Sequence, residues 1–256
     1  MSVMKVARNA DIPAEVLARL ATDKDGCIRR TVAGYANTAV EVLAGLATDE
    51  DWQVRWAVAG NANTPAEVLV VLAHDADWEV RETLAKNANT PPETLAQLAT
   101  DEDWHVRRAV TKNQRTPSEA LAGLANDEDW QVRWDVAGNS NAPAEALIKL
   151  ATDYYFEVCC AVARNPSTPA EVLDRLAAND EFSFRRAVAE NPSTPVEMLN
   201  KLATDEDIRV RQAVARNAKI PPEAITLLCF SEESYIRKAL SENPAVPEHI
   251  RVGLSL

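Results

Sequence analysis

Apolar residues recur along this chain in two short helical stripes, and the pair of stripes repeats every 26 residues. In Asn61 to Lys86, NANTPAEVLVVLAHDADWEVRETLAK, the first stripe is Val68, Leu69, Leu72 and Ala73, and the second is Val80, Thr83 and Leu84. Neither is long enough to hold a helix on its own, so each helix must dock on its neighbours. The polar positions between them predict the boundaries. Thr64-Pro65-Ala66-Glu67 opens the first helix, with Thr as N-cap, Pro in the first turn and Glu completing a capping box. Asp75-Ala76-Asp77 opens the second, where acids cap free N–H groups and complement the helix dipole. Asn87 is expected to end it in the left-handed conformation that Asn tolerates. No strand pattern is present.

The spacing carries the architecture. Asn9, Asn61, Asn87, Asn113, Asn139, Asn165, Asn191, Asn217 and Asn243 are separated by 26 residues or multiples of it, and Tyr35 breaks the identity but not the spacing. A fixed period of this length predicts a solenoid. The expected fold is all-α: a right-handed superhelix of about nine and a half helix–turn–helix repeats, in one repeat domain over 1–256. Repeats start at 9, 35, 61, 87, 113, 139, 165, 191 and 217, with a partial one at 243. Met1–Arg8 reads as the tail of a second helix, since Val6-Ala7-Arg8 aligns with Val32-Ala33-Gly34. At the other end Ile250, Val252, Leu254 and Leu256 make a poor cap, which leaves end-to-end self-association or a frayed tail as alternatives.

The pattern resembles the leucine-rich repeat variant family, whose repeats read roughly N-P-x-T-P-x-x-L-x-x-L-A-x-D-x-x-x-x-V-R-x-x-V-A. The nearest matches are NPSTPAEVLDRLAANDEFSFRRAVAE (Asn165–Glu190) and NPSTPVEMLNKLATDEDIRVRQAVAR (Asn191–Arg216). The resemblance covers nearly the whole chain. It implies a right-handed helical solenoid in which one helix of each pair is tight and 3₁₀-like. Some members carry a cysteine-ligated iron–sulfur module before the repeats. The eight residues before Asn9 include no Cys, so no such cofactor is expected here.

Positions that do not vary read as structure. Leu20, Leu46, Leu72, Leu98, Leu124, Leu150, Leu176, Leu202, Leu228 and Leu254 form a core line. Arg29, Arg55, Arg81, Arg107, Arg133, Arg185, Arg211 and Arg237 form a row interrupted by Cys159. That row could bind anions, but bridging to the next repeat's Asp is the simpler reading, because acids surround it.

Positions that vary point to function. The Trp78 position reads Gly26, Trp52, Trp78, Trp104, Trp130, Phe156, Phe182, Ile208 and Ser234. Four residues on, on the same helix face, come Trp56 and Trp134, where other repeats hold Arg30, Glu82, Arg108, Arg186, Gln212 or Lys238. The aromatic ladder either packs repeat on repeat or forms a partner surface. The exposed pair Trp56 and Trp134 favours the partner surface. The sixth repeat departs further, with Tyr154 and Tyr155 in place of acids, followed by Phe156. Asp135 replaces a small inner residue and needs a buried partner, for which Arg133 or a neighbouring row Arg is the candidate.

The net charge of −12 argues against a general nucleic-acid or anionic-membrane binder. The four cysteines are scattered without metal-ligand spacing, which fits free thiols in a reducing cytoplasm. The N-terminus lacks an apolar signal segment, and no run is long enough to span a membrane. No phosphate loop, nucleophile elbow or paired His motif is present. The expected function is a non-enzymatic scaffold binding a protein or peptide through Trp52, Trp56, Trp78, Trp104, Trp130, Trp134, Tyr154, Tyr155 and Phe156, without metal or cofactor. Two alternatives stand beside it. One is a nucleobase-binding solenoid that stacks bases on the Trp ladder and holds phosphates with the Arg row. The other is a purely structural spacer.

Overall fold

The computed structural model describes residues 12–254, so the reading of Met1–Arg8 and of Leu256 lies outside the described residues. These form nineteen α-helices and no strand. They group into two compact units that divide between Asp135 and Val136. The first holds α1 (Ala14–Leu20), α2 (Gly26–Ala33), α3 (Val40–Leu46), α4 (Trp52–Gly60), α5 (Ala66–Leu72), α6 (Trp78–Lys86), α7 (Pro92–Leu98), α8 (Trp104–Lys112) and α9 (Ser118–Leu124). The division falls within α10 (Trp130–Gly138). The second unit continues with α11 (Ala144–Leu150), α12 (Phe156–Arg164), α13 (Ala170–Ala177), α14 (Phe182–Glu190), α15 (Val196–Leu202), α16 (Ile208–Arg216), α17 (Pro222–Leu228), α18 (Ser234–Glu242) and α19 (Glu248–Leu254).

Short helices of seven residues such as α5 alternate with helices of nine such as α6. Both kinds are α-helical, so the 3₁₀-like member implied by the resemblance is not found among the described residues. Tight geometry appears at the helix ends: the Pro65 carbonyl accepts from both Val68 N and Leu69 N at 3.1 Å, and the Asp51 carbonyl from Val54 N and Arg55 N at 3.0 and 3.3 Å. Within each unit the core lies between the two kinds of helix. Leu69, Leu72, Leu95 and Leu98 enter it from the short helices, and Val54, Val58, Val80 and Leu84 from the long ones.

Two of the expected caps are corrected. Thr64 does not cap the short helix; Pro65 holds that place, and no side chain bonds the first turn. Thr64 is fully buried and donates backward to the Val58 carbonyl at 2.6 Å. Thr38, Thr90, Thr116, Thr168 and Thr194 do the same, each donating to the carbonyl six residues before it in the preceding long helix. The Val58 carbonyl also accepts from Asn61 N at 3.1 Å, so Thr64 fills its second lone pair at the buried helix end, whereas the short helix can satisfy its free N–H groups from water. Asn87 is not left-handed either; it is extended, at φ −71° and ψ 127°. Its Nδ2 donates to Ala59 O at 2.7 Å, in the last turn of α4, and to Asn61 O at 3.0 Å, the first residue of the preceding repeat, and its Oδ1 accepts from Asn89 N. The Asn series is therefore a stitch between repeats, and its reach enforces the unbroken spacing. The acids at the second helix start mostly cap as expected: Asp51 accepts from Gln53 N and Asp103 from His105 N, although Asp77 caps nothing.

The Arg row is a second stitch. Arg55 Nε and Nη2 reach Asp75 of the next repeat at 2.6 and 2.9 Å, while Nη1 donates to the carbonyls of Asp49 and Glu50. Arg29–Asp49, Arg81–Asp101, Arg107–Asp127 and Arg185–Asp205 repeat this fork. The Arg29 hydrogen bonds hold the Asp49 carboxyl below its ordinary range against the opposing effect of burial, and Asp49 in turn raises Arg29. No helix among the described residues is long and apolar enough to cross a membrane.

Candidate partner-binding surface

The long helices present the variable positions. Trp52 and Trp56 lie one turn apart on α4, as do Trp130 and Trp134 on α10. Trp56 is 44 % exposed and Trp134 41 %. Both are followed four residues later by glycine, Gly60 and Gly138. In three other repeats the same two positions carry ion pairs: Glu82–Lys86 and Arg186–Glu190, each at 2.7 Å, and Lys238–Glu242 at 3.7 Å. Helical side chains lean toward the N-terminus, so a residue at i+4 covers the one at i. Glycine removes that cover and leaves the indole face bare.

The other aromatics divide. Trp78 and Trp104 are half-buried and both stack on His105, with ring centroids at 4.6 and 3.8 Å. His105 Nδ1 meets Asp103 Oδ1 at 2.9 Å, which orients the ring. These two tryptophans therefore pack repeat on repeat. In the second unit Phe156 packs on Phe184 at 4.8 Å. Tyr154 is 92 % exposed and meets Tyr155 edge-on at 5.5 Å.

Asp135 is paired, but not by the Arg row. Its Oδ2 accepts from Arg108 Nε at 2.6 Å and lies 3.2 Å from Lys112 Nζ, and its side chain is 8 % exposed. Arg108 and Lys112 occupy the outer positions of the preceding long helix, one turn apart, so both reach the same carboxylate. The row itself leaves a paired substitution that sequence reading passed over. Where Cys159 replaces Arg, Asn179 replaces the Asp that an Arg there would reach twenty residues on, as Arg55 reaches Asp75. Cys159 Sγ donates to the Asp153 carbonyl at 3.3 Å, one of the backbone contacts an Arg makes in other repeats. Burial raises the Cys159 and Cys160 thiols, the latter to about 11. A comparison of each row Arg with the residue twenty positions later would have exposed the exchange.

Pairs of short helices, stitched repeat to repeat by buried Asn amides and Arg–Asp forks, define a helical-repeat solenoid protein. The chain is similar to a solved structure described as a leucine-rich repeat variant with a novel repetitive structural motif. The two share 33% identity over 84% of this chain and 85% of that one, with a TM-score of 0.63. Family models described as leucine rich repeat variant match residues 52–77 and 78–103, and a leucine rich repeat variant domain model matches 159–218. The chain belongs to the leucine-rich repeat variant family. It also aligns with the YibA protein of E. coli at 16% identity, over 84% of this chain and 96% of that one, with a TM-score of 0.49. An engineered protein aligns at 21% identity over 98% and 93% of the two chains, with a TM-score of 0.41. No curated protein matches the chain.

Proposed function

We propose that this chain is a non-enzymatic repeat scaffold that binds a protein or peptide partner through exposed aromatic side chains on its long helices. One observation carries the reading: Trp56 and Trp134 expose bare indole faces at a position where the fold accepts Arg, Glu, Gln or Lys. A position that tolerates charge does not need an aromatic for packing, and uncovered Trp is the residue type that most often anchors an interface. Trp52, beside Trp56, and Trp130, beside Trp134, widen these anchors. Tyr154 and Tyr155 offer a separate aromatic surface in the second unit. Trp78, Trp104 and Phe156 contribute through their exposed edges. The repeats act as one domain, in keeping with a register that runs unbroken through residue 135. The nucleobase reading is weaker, because the Arg forks that would hold phosphates already give their hydrogen bonds to Asp and to backbone carbonyls.

The test is a capture experiment from native cell extract with wild type and a Trp56→Gln/Trp134→Gln variant. Exposed substitutions usually stay within about 0.5 kcal/mol, so the variant should keep its melting temperature and lose its partner. Leu72→Ala is the packing control, at a cost of about 2–5 kcal/mol. If the double variant melts like Leu72→Ala, the tryptophans are packing residues. Equal capture by both proteins would remove them from the site.

A further inference from the structure

We infer that the cleft between α14 and α16 binds a carboxylate side chain of an acidic peptide segment. It goes beyond the aromatic reading and does not rest on it. The cleft has a volume of about 180 Å³, with Arg186 and Glu190 on one wall, Arg209, Gln212 and Arg216 on the other, and buried Ala213 between them. Three arginines against one glutamate leave two positive charges in excess, on a chain whose net charge is −12.

The lining is partly fixed and partly uncommitted. Both Glu190 oxygens are taken, one by Arg186 Nε at 2.7 Å and one by Arg164 Nε at 3.0 Å, which holds the Arg186 fork in place. Arg209 is held by Asp207, through Nε at 3.0 Å and Nη2 at 2.6 Å, and its guanidinium lies 3.4 Å from the centre of the Phe182 ring. Arg216 and Gln212 have no hydrogen-bond or ion-pair partner among the described residues. Two held guanidiniums, a third uncommitted one and a free carboxamide thus line one small cleft. Planar guanidinium donors match a carboxylate in shape and charge.

Size and charge narrow the ligand. Small-molecule sites usually exceed about 300 Å³, so this cleft suits a side-chain head group. Glu190 inside it disfavours a dianion such as phosphate. The acidic remainder of the chain repels a long polyanion, whereas a short acidic segment places its charge only locally. Gln212 and Arg216 stand at the repeat positions that hold Trp56 and Gly60 in α4, so the outer face of α16 offers cationic and amide groups where α4 offers an indole.

The experiment is a side-chain NMR titration of the full chain at low ionic strength, with acetyl-triglutamyl-amide as the probe. The Arg186 and Arg216 Nε–H signals and the Gln212 carboxamide signals are expected to shift saturably, and acetyl-triglutaminyl-amide should leave them in place. Arg186→Gln/Arg216→Gln should weaken binding about tenfold or more. Arg216→Glu should abolish it with an unchanged circular dichroism spectrum. The proposal is overturned if no saturable shift occurs, if the double variant binds as wild type does, or if inorganic phosphate or a short single-stranded oligonucleotide binds the same groups more tightly than the glutamyl peptide.

Discussion

Replacing Asn191 by Ala should be among the more damaging single changes in the second unit, and its cost can be built up from the contacts. Asn191 follows α14 and is fully buried. Its Nδ2 donates to Ala163 O and Asn165 O, each at 2.8 Å, and its Oδ1 accepts from Ser193 N at 2.7 Å. Ala163 O belongs to the last turn of α12, where the helix supplies no donor, so its loss of a partner costs about 1–3 kcal/mol. Asn165 O keeps Thr168 N at 3.1 Å, so there only one of two bonds is lost. That bond and the one to Ser193 N add about 1 kcal/mol each. The sum is about 3–5 kcal/mol, well above the roughly 1 kcal/mol of a typical substitution. Asn191→Asp separates the causes. It keeps the shape and the acceptor for Ser193 but turns a carboxylate oxygen toward two carbonyls, so it should be at least as unstable as Ala. The assay is guanidinium denaturation followed by far-UV circular dichroism. An Ala variant within about 0.5 kcal/mol of wild type, or an Asp variant as stable as wild type, would refute the stitch.

Three further outcomes are expected. Burial pushes the Asp75 carboxyl up, but the Arg55 hydrogen bonds and the Asp77 amide outweigh it and leave the folded pKa below the unfolded one. The resulting stability is complete above about pH 4 and is lost as pH falls through the folded pKa; Asp75→Asn should flatten the acid limb of a stability–pH curve, and an unchanged limb would count against the pairing. Exposed Cys27 should react promptly with Ellman's reagent, whereas the buried thiols of Cys159 and Cys160, raised by desolvation, should wait for denaturant; equal rates would contradict their burial. Restoring the missing fork with Cys159→Arg and Asn179→Asp together should show favourable coupling of about 0.5–3 kcal/mol in a double-mutant cycle, and strict additivity would mean that no fork had formed.

Much of the candidate site was visible in the chain. Aligning the repeats was enough to place Trp56 and Trp134 where charge is tolerated, and the structure finds both exposed. The same alignment grouped Trp78 and Trp104 with them, yet these two stack on His105. His105 is the chain neighbour of Trp104, but nothing local to Trp78 announces its contact, because the histidine lies in the following repeat. Asp135 shows the same limit: its need for a partner was legible, but the partners are Arg108 and Lys112 of the preceding long helix.

What the sequence determined by itself was the unit, its period, its helical class and the apolar lines, since amphipathic spacing and an unbroken 26-residue register depend only on neighbours along the chain. The tertiary structure decided the work of the polar residues. Thr64 and Asn87 have the types and places of local caps, and sequence logic assigns them to their own helix ends. Stacking buries the ends of the long helices and removes water from their last carbonyls. A buried carbonyl without a donor costs more than a short helix start left facing solvent, so the amide of Asn87 turns backward to Ala59 O and also reaches Asn61 O, while the hydroxyl of Thr64 adds a second donor to Val58 O.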